Sequence, residues 1–165
     1  GVHFLDVLWW LMGCPTPTRV SGATYAKFGP YGRGPRPSDR HPSPGEFSVE
    51  DLATAMIHFE NGATVLMDNG WAGFVEDQTM SVRLMGTQGG ATMWPFCVTA
   101  EAPDESVMDD TPTLPEEPQQ TQFDAFAECM LKGEQPISSF ENCFTVLRML
   151  HAVYDSAERG AEVTV

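Results

Sequence analysis

Residues 51–71 read DLATAMIHFENGATVLMDNGW, and this stretch decides the fold. Two runs of apolar and β-favouring residues flank Asn61–Gly62. A two-residue type I′ turn needs positive φ at both central positions, which Asn and Gly reach at least cost. The spacing therefore predicts an antiparallel hairpin turning at Asn61–Gly62. Alternation is weak through Ala53–Phe59, which predicts a strand covered on both faces.

On the C-terminal side, QTMSVRLMG (78–86) reads as a third strand ending at the turn TQGG (87–90). ATMWP (91–95) and CVTAE (97–101) follow as short strands. Strand, turn, strand is the order of an antiparallel meander. GTQGG lies between two strands and precedes no helix, so it is a hairpin turn and not a dinucleotide fingerprint. Residues 101–118 are acidic and proline-rich and read as an exposed loop. Helices are predicted over 119–132 and from Phe140 to Gly160, the second capped by Ser139. The closing AEVTV reads as a terminal strand.

On the N-terminal side, RVSGATYAKF (19–28) predicts a strand. Residues 29–46 hold five prolines and four glycines, which excludes a helix or a central strand. That segment also carries Tyr31, Arg33, Arg36, Arg40 and His41, in a chain with only nine Lys and Arg. Clustered guanidinium groups suit an anionic or polyhydroxyl ligand, and a solvated loop is the alternative. The sum is an α+β fold: an open, mainly antiparallel sheet of about five to seven strands with helices on one face.

With 165 residues, 42% of them hydrophobic, the chain has enough material for one cored domain, 1–165. A net charge of −14 argues against nucleic-acid backbone binding. No targeting segment is apparent, and the longest apolar run, Val7–Met12, is too short to span a bilayer. Cys14, Cys97, Cys129 and Cys143 form no CxxC pair and no zinc spacing. They read as reduced core thiols, and the expected location is cytoplasmic.

The chain opens GVHFLDVLWWLMG (1–13), a helical pattern that is apolar nearly all round except for His3 and Asp6. At 100° per residue His3, Asp6 and Trp10 share one face, and Gly13 stands where a C′ glycine belongs. Such a helix is expected to be buried on more than one side, with the His3/Asp6 face toward a crevice. Trp9 and Trp10 are expected in the core. Trp71, after Gly70 at a strand end, offers a ring face for stacking. Glu50 and Asp51, just after the Arg-rich loop, either bind hydroxyl groups or cap the loop.

In order along the chain, these motifs resemble the C-terminal domain of the Gfo/Idh/MocA oxidoreductases, which include glucose–fructose oxidoreductase and inositol dehydrogenases. The first helix matches D-x-G-x-H-x-x-D-x-x-x-W-x-x-G through Gly1, His3, Asp6, Trp10 and Gly13. VEDLATAMIHFENGATVLMDNGW, RLMGTQGG, FAECMLKGEQP and VYDSAERGAEVTV match later blocks. The resemblance implies an intact dehydrogenase in which an N-terminal Rossmann domain binds NAD or NADP. It implies that His3 is the catalytic acid/base at the substrate hydroxyl. Asp6, Tyr31, Arg33 and Trp71 are then candidates for binding a sugar, cyclitol or other polyol, with Asp6 either orienting the imidazole or meeting a donor outside this chain. No metal, nucleic acid or membrane partner is expected, and a homo-oligomer through the sheet face is. The family's Glu-Lys-Pro lysine, the acidic residue four positions before His3, and the first strand of the sheet have no counterpart here. The chain by itself is therefore expected to bind no dinucleotide and to be inactive. The alternative is a non-catalytic β-sheet module for dimerisation or small-ligand binding.

Overall fold

The computed structural model describes residues 1–32, 47–75, 80–104, 106–112 and 120–165. Helix α1 spans Val2–Leu11, and strand β1 spans Pro17–Tyr25. The hairpin is β2, Leu52–Phe59, and β3, Thr64–Gly70. Strands β4 (Arg83–Met85), β5 (Gly89–Thr92), β6 (Cys97–Glu101) and β7 (Val107–Asp110) follow. Helices α2 (Gln122–Lys132) and α3 (Phe140–Arg159) and strand β8 (Val163–Thr164) complete the chain.

The α+β class and the antiparallel pairing are as expected. Among the described residues, however, the strands form two four-stranded sheets, β3-β2-β1-β8 and β4-β5-β6-β7, and not one continuous sheet. They belong to two compact units, residues 1–77 with 140–165, and residues 78–139.

In the first unit the register builds the core row by row. Val20 pairs with both Ile57 and Val163, and Ile57 pairs with Val65, which makes one apolar row across all four strands. Those four side chains are buried with Leu5 and Trp9 of α1 and Val146, Met149 and Val153 of α3. The helix α3 comes down directly on β1 at Gly22, where a Cβ would lie only 2.9 Å from Val153 Cγ1. The Gly22 N–H donates to Ser156 Oγ (2.9 Å), and that hydroxyl donates to the carbonyl of Ala161 (2.7 Å). One serine thus satisfies a strand amide and ties down the chain leaving α3.

The turn of the hairpin differs from the type I′ expectation. Only Gly62 has positive φ (+85°); Asn61 does not. The Gly62 N–H donates to Phe59 O and the Phe59 N–H to Ala63 O, both at 3.0 Å. This is a three-residue loop in which a type I turn is closed by a left-handed glycine, so Gly62 alone takes the strained conformation.

The strand phase places Val65 and Met67 on the helix-covered side and leaves Met56 and Leu66 exposed. A one-residue offset in phase exchanges the two faces of a strand. In the second unit β4 is shorter than the predicted third strand, Val82 is buried and Met80 exposed. The turn at Gly86–Gly89 is present, with the Gly86 N–H donating to Gly89 O at 2.8 Å. The acidic segment, read as loop, contains β7: Val107 and Met108 pair with Glu101 and Ala100, and Thr99 Oγ1 donates to Asp109 at 2.7 Å. Thr121 and Asp124 form a capping box on α2, and Gly133 ends it in the left-handed region. The cysteines are free, but none is fully buried, and Cys143 is exposed. Among the described residues no helix is long and apolar enough to cross a membrane.

Candidate functional site

The first unit contains four of the five site residues expected from the sequence; Arg33, with Arg36, Arg40 and His41, lies outside the described residues. The site starts at α1. His3 stands exposed in its first turn, and Asp6 is half-buried one turn on. No hydrogen bond or ion pair involves either side chain among the described residues, so no Asp6 contact orients the imidazole. Trp9 is in the core as expected, its Nε1–H donating to Pro15 O at 2.7 Å. Trp10, expected in the core, is 49% exposed, together with Val2, Val7 and Leu11. The helix therefore buries one flank against its own unit and presents the His3 flank uncovered in this chain.

The start of α1 lies against the end of β3. A Cβ at Gly1 would sit 3.1 Å from both Cγ and Nδ2 of Asn69. Asn69 belongs to the row Thr24–Ala53–Asn69, two residues along from Met67 on the covered face. Side chains alternate along a strand, so Trp71 is reached one step beyond Asn69 on the same side.

Trp71 is held from three directions. Its indole N–H donates to Glu50 O (2.7 Å), its backbone N–H donates to Asp51 O (3.0 Å), and Phe47 leans on its ring at 5.4 Å. The residue nevertheless remains 44% exposed. A half-open indole with its N–H already committed presents a ring face and no donor.

Glu50 and Asp51 resolve toward structure. Asp51 is 2% exposed and accepts from the backbone N–H groups of Lys27, Phe28 (2.6 Å) and Gly29 (2.8 Å). A buried carboxylate is tolerable only with such a full set of donors, and here it fixes the entry to the loop. Tyr31 follows on the short 3₁₀ turn Gly29–Tyr31 and is exposed. Glu50 accepts from the Tyr154 hydroxyl at 3.0 Å, which joins α3 to the same cluster. Partial burial, then the Glu50 carboxylate, push the Tyr154 hydroxyl above its usual pKa. Asn69 and Tyr154 were not singled out from sequence. Asn69 carries no local signal, whereas Tyr154 stands in the Y-x-S-A-x-x-G block that read only as a helix end.

The profile of the oxidoreductase family C-terminal alpha/beta domain, the Gfo/Idh/MocA group, matches residues 1–165. The chain belongs to this family. It is 25% identical over 171 residues to D-glucoside 3-dehydrogenase of Escherichia coli K12, covering 99% of this chain and 46% of that protein. Aldose-aldose oxidoreductase of Caulobacter crescentus, solved with glycerol, superposes with a TM-score of 0.70 at 20% identity, over 100% of this chain and 46% of that one. Levoglucosan dehydrogenase, solved with NADH and levoglucosan, does so at 0.73 and 18%, over 99% and 48%. The chain thus spans about half the length of the relatives it matches, and this family domain is their C-terminal half.

Proposed function

We propose that this domain is the substrate half of an NAD- or NADP-dependent oxidoreductase acting on a sugar, cyclitol or related polyol, with His3 as its acid/base group. The observation that carries the reading is the position of His3: exposed, in the first turn of α1, with no hydrogen bond or ion pair to its ring among the described residues. The 25% identity to a D-glucoside 3-dehydrogenase across 99% of the chain supports the sugar class.

The described residues do not fit a dinucleotide. Among them no helix follows a strand across a glycine-rich turn, which is the unit that presents N–H groups to a pyrophosphate. The nicotinamide that accepts hydride is therefore assigned to the part of the protein outside this chain, and only the proton and the hydroxyls are assigned here. As the substrate C–OH becomes a carbonyl its proton must leave, and the His3 imidazole is assigned to accept it. Trp71 is assigned to offer its ring face to the sugar, and Asp6, Tyr31 and Arg33 are assigned to hydroxyl contacts. Met56 and Leu66 on the outer face of the first sheet are assigned to pairing with a second copy.

In the intact enzyme His3→Ala is expected to lower turnover by roughly 10²–10⁴, with much less change in substrate affinity and an unchanged melting temperature. Near-normal turnover in a folded His3→Ala enzyme removes His3 from the mechanism.

A further inference from the structure

We propose that Tyr154 is a positioning residue for the polyol site, holding the Trp71 ring in place through Glu50. The inference rests on the reading of Trp71 given above, as the ring on which the sugar stacks, and adds the residue that acts through it. Glu50 is used twice. Its backbone oxygen accepts from the indole N–H of Trp71 at 2.7 Å, and its two carboxylate oxygens accept from the Tyr154 hydroxyl at 3.0 Å. The next residue, Asp51, accepts the Trp71 backbone N–H at its carbonyl (3.0 Å) and donates its own N–H to Tyr25 O (2.7 Å). One dipeptide thus fixes Trp71 by its ring nitrogen and by its backbone, and α3 holds that dipeptide through Tyr154.

A ring that stacks on a sugar works best when one rotamer is already set, because ordering it during binding subtracts from affinity. Trp71 stands just past the last residue of β3, Gly70, with its side chain open to water. The indole N–H bond sets the ring, but its acceptor is a peptide in the irregular segment 47–51 and is only as steady as that segment. At one end the segment is seated by Phe47, whose ring lies so close over Gly29 that a Cβ there would be 2.3 Å from Cε1. At the other end it is fixed by the buried Asp51. Between them Val49 is exposed and Glu50 half-buried, and the Glu50 side chain is tied to Tyr154. Tyr154 is a sound anchor, since its neighbours on α3, Val153 and Met149, are at most 2% exposed in the core. Among the described residues its hydroxyl has one partner, Glu50, so a phenylalanine at this position would keep the ring and remove only the tie.

The test uses the full-length enzyme with NAD and NADP, on D-glucose, methyl D-glucoside and myo-inositol. Wild type, Tyr154→Phe, Trp71→Ala and the double variant are compared by steady-state kinetics, with melting temperatures taken on the same preparations. Tyr154→Phe is expected to raise KM roughly threefold to tenfold with kcat little changed, because what is lost is the prior ordering of one ring. Trp71→Ala should raise KM further. In the Trp71→Ala background Tyr154→Phe should have no additional effect on KM, since the ring it positions is gone. Glu50→Ala should match Tyr154→Phe, and Glu50→Gln, which keeps an acceptor for the hydroxyl, should recover most of the affinity. Tyr154→Phe within twofold of the wild-type KM, while Trp71→Ala loses affinity, overturns the Tyr154 assignment alone. So do losses that multiply in the double variant, which mark Tyr154 as a support of the fold that does not act through Trp71. Trp71→Ala within twofold of wild type on every substrate overturns the stacking role of Trp71 and the Tyr154 assignment with it. A wild type that converts none of these polyols overturns the functional reading beneath both.

Discussion

Gly22→Ala is the most informative single change in the first unit. A Cβ there would meet Val153 at three atoms: Cγ1 at 2.9 Å, the backbone oxygen at 3.0 Å and Cα at 3.2 Å. Ordinary carbon contacts lie at about 3.5–4.0 Å, so the overlap is roughly half an ångström or more. Rotating Val153 relieves only the first contact, because the other two are helix backbone. Helix α3 must therefore retreat from β1. It takes with it Val146, Met149 and Val153, all at most 2% exposed, and stretches the Gly22–Ser156 hydrogen bond. Overpacking of this kind costs about 1–3 kcal/mol and the hydrogen bond about 0.5–1.5 kcal/mol. The smaller entropy of an alanine in the unfolded chain returns about 0.4–1 kcal/mol. The net is a loss of about 0.5–4 kcal/mol, centred near 2 kcal/mol, which is roughly 4–8 °C in melting temperature for a protein of this size. Thermal unfolding followed by circular dichroism measures it. Ser156→Ala, which loses only the hydrogen bonds, should cost less. Gly22→Ala combined with Val153→Ala should recover part of the loss relative to the sum of the single changes. A Gly22→Ala protein as stable as wild type would refute the close approach of α3 to β1 as the feature that sets the packing here.

Tyr154 sets an alkaline limit. Its folded pKa is raised, so the proton binds more tightly in the native state; the associated stability is complete below the unfolded value near 10 and is lost as pH rises through the folded value. Tyr154→Phe should flatten that fall in a plot of melting temperature against pH from about 9 to 11, and an unchanged slope would show that the Glu50 contact does not matter to folding. The outer face bearing Met56 and Leu66 should support self-association. Sedimentation of the intact protein is expected to give an oligomer that Leu66→Lys weakens, and a wild-type monomer at tens of micromolar would argue against pairing through this face.

Much of the fold was legible in sequence because its signals are local. The hairpin follows from two β-rich runs around Asn61–Gly62, α2 from the helical pattern over 119–132, and the end of α3 from Gly160, which does take positive φ. The family blocks acquire physical reasons only in the fold: Tyr154 binds Glu50, Ser156 binds Gly22, and Asp51 closes the loop entry. Other features were not local, and sequence alone left them open or misplaced them. Alternation could not say which face of β3 meets the helices, because Leu66 and Val65 are equally apolar and only the docking of α1 and α3 distinguishes them. Nor could it separate the strands into two sheets, or find β7 within an acidic run where every side chain is exposed and only pairing with β6 makes a strand. The candidate site divides in the same way. His3, Asp6 and Trp71 stand in recognisable patterns, so their residue types alone suggested chemistry. Asn69 does not, since its contact is with a neighbour 68 positions earlier in the chain, Gly1, which approaches it only once β3 and α1 have packed. What a segment can form is written in its own residues, but which of its groups find partners is decided by contacts between segments far apart in sequence.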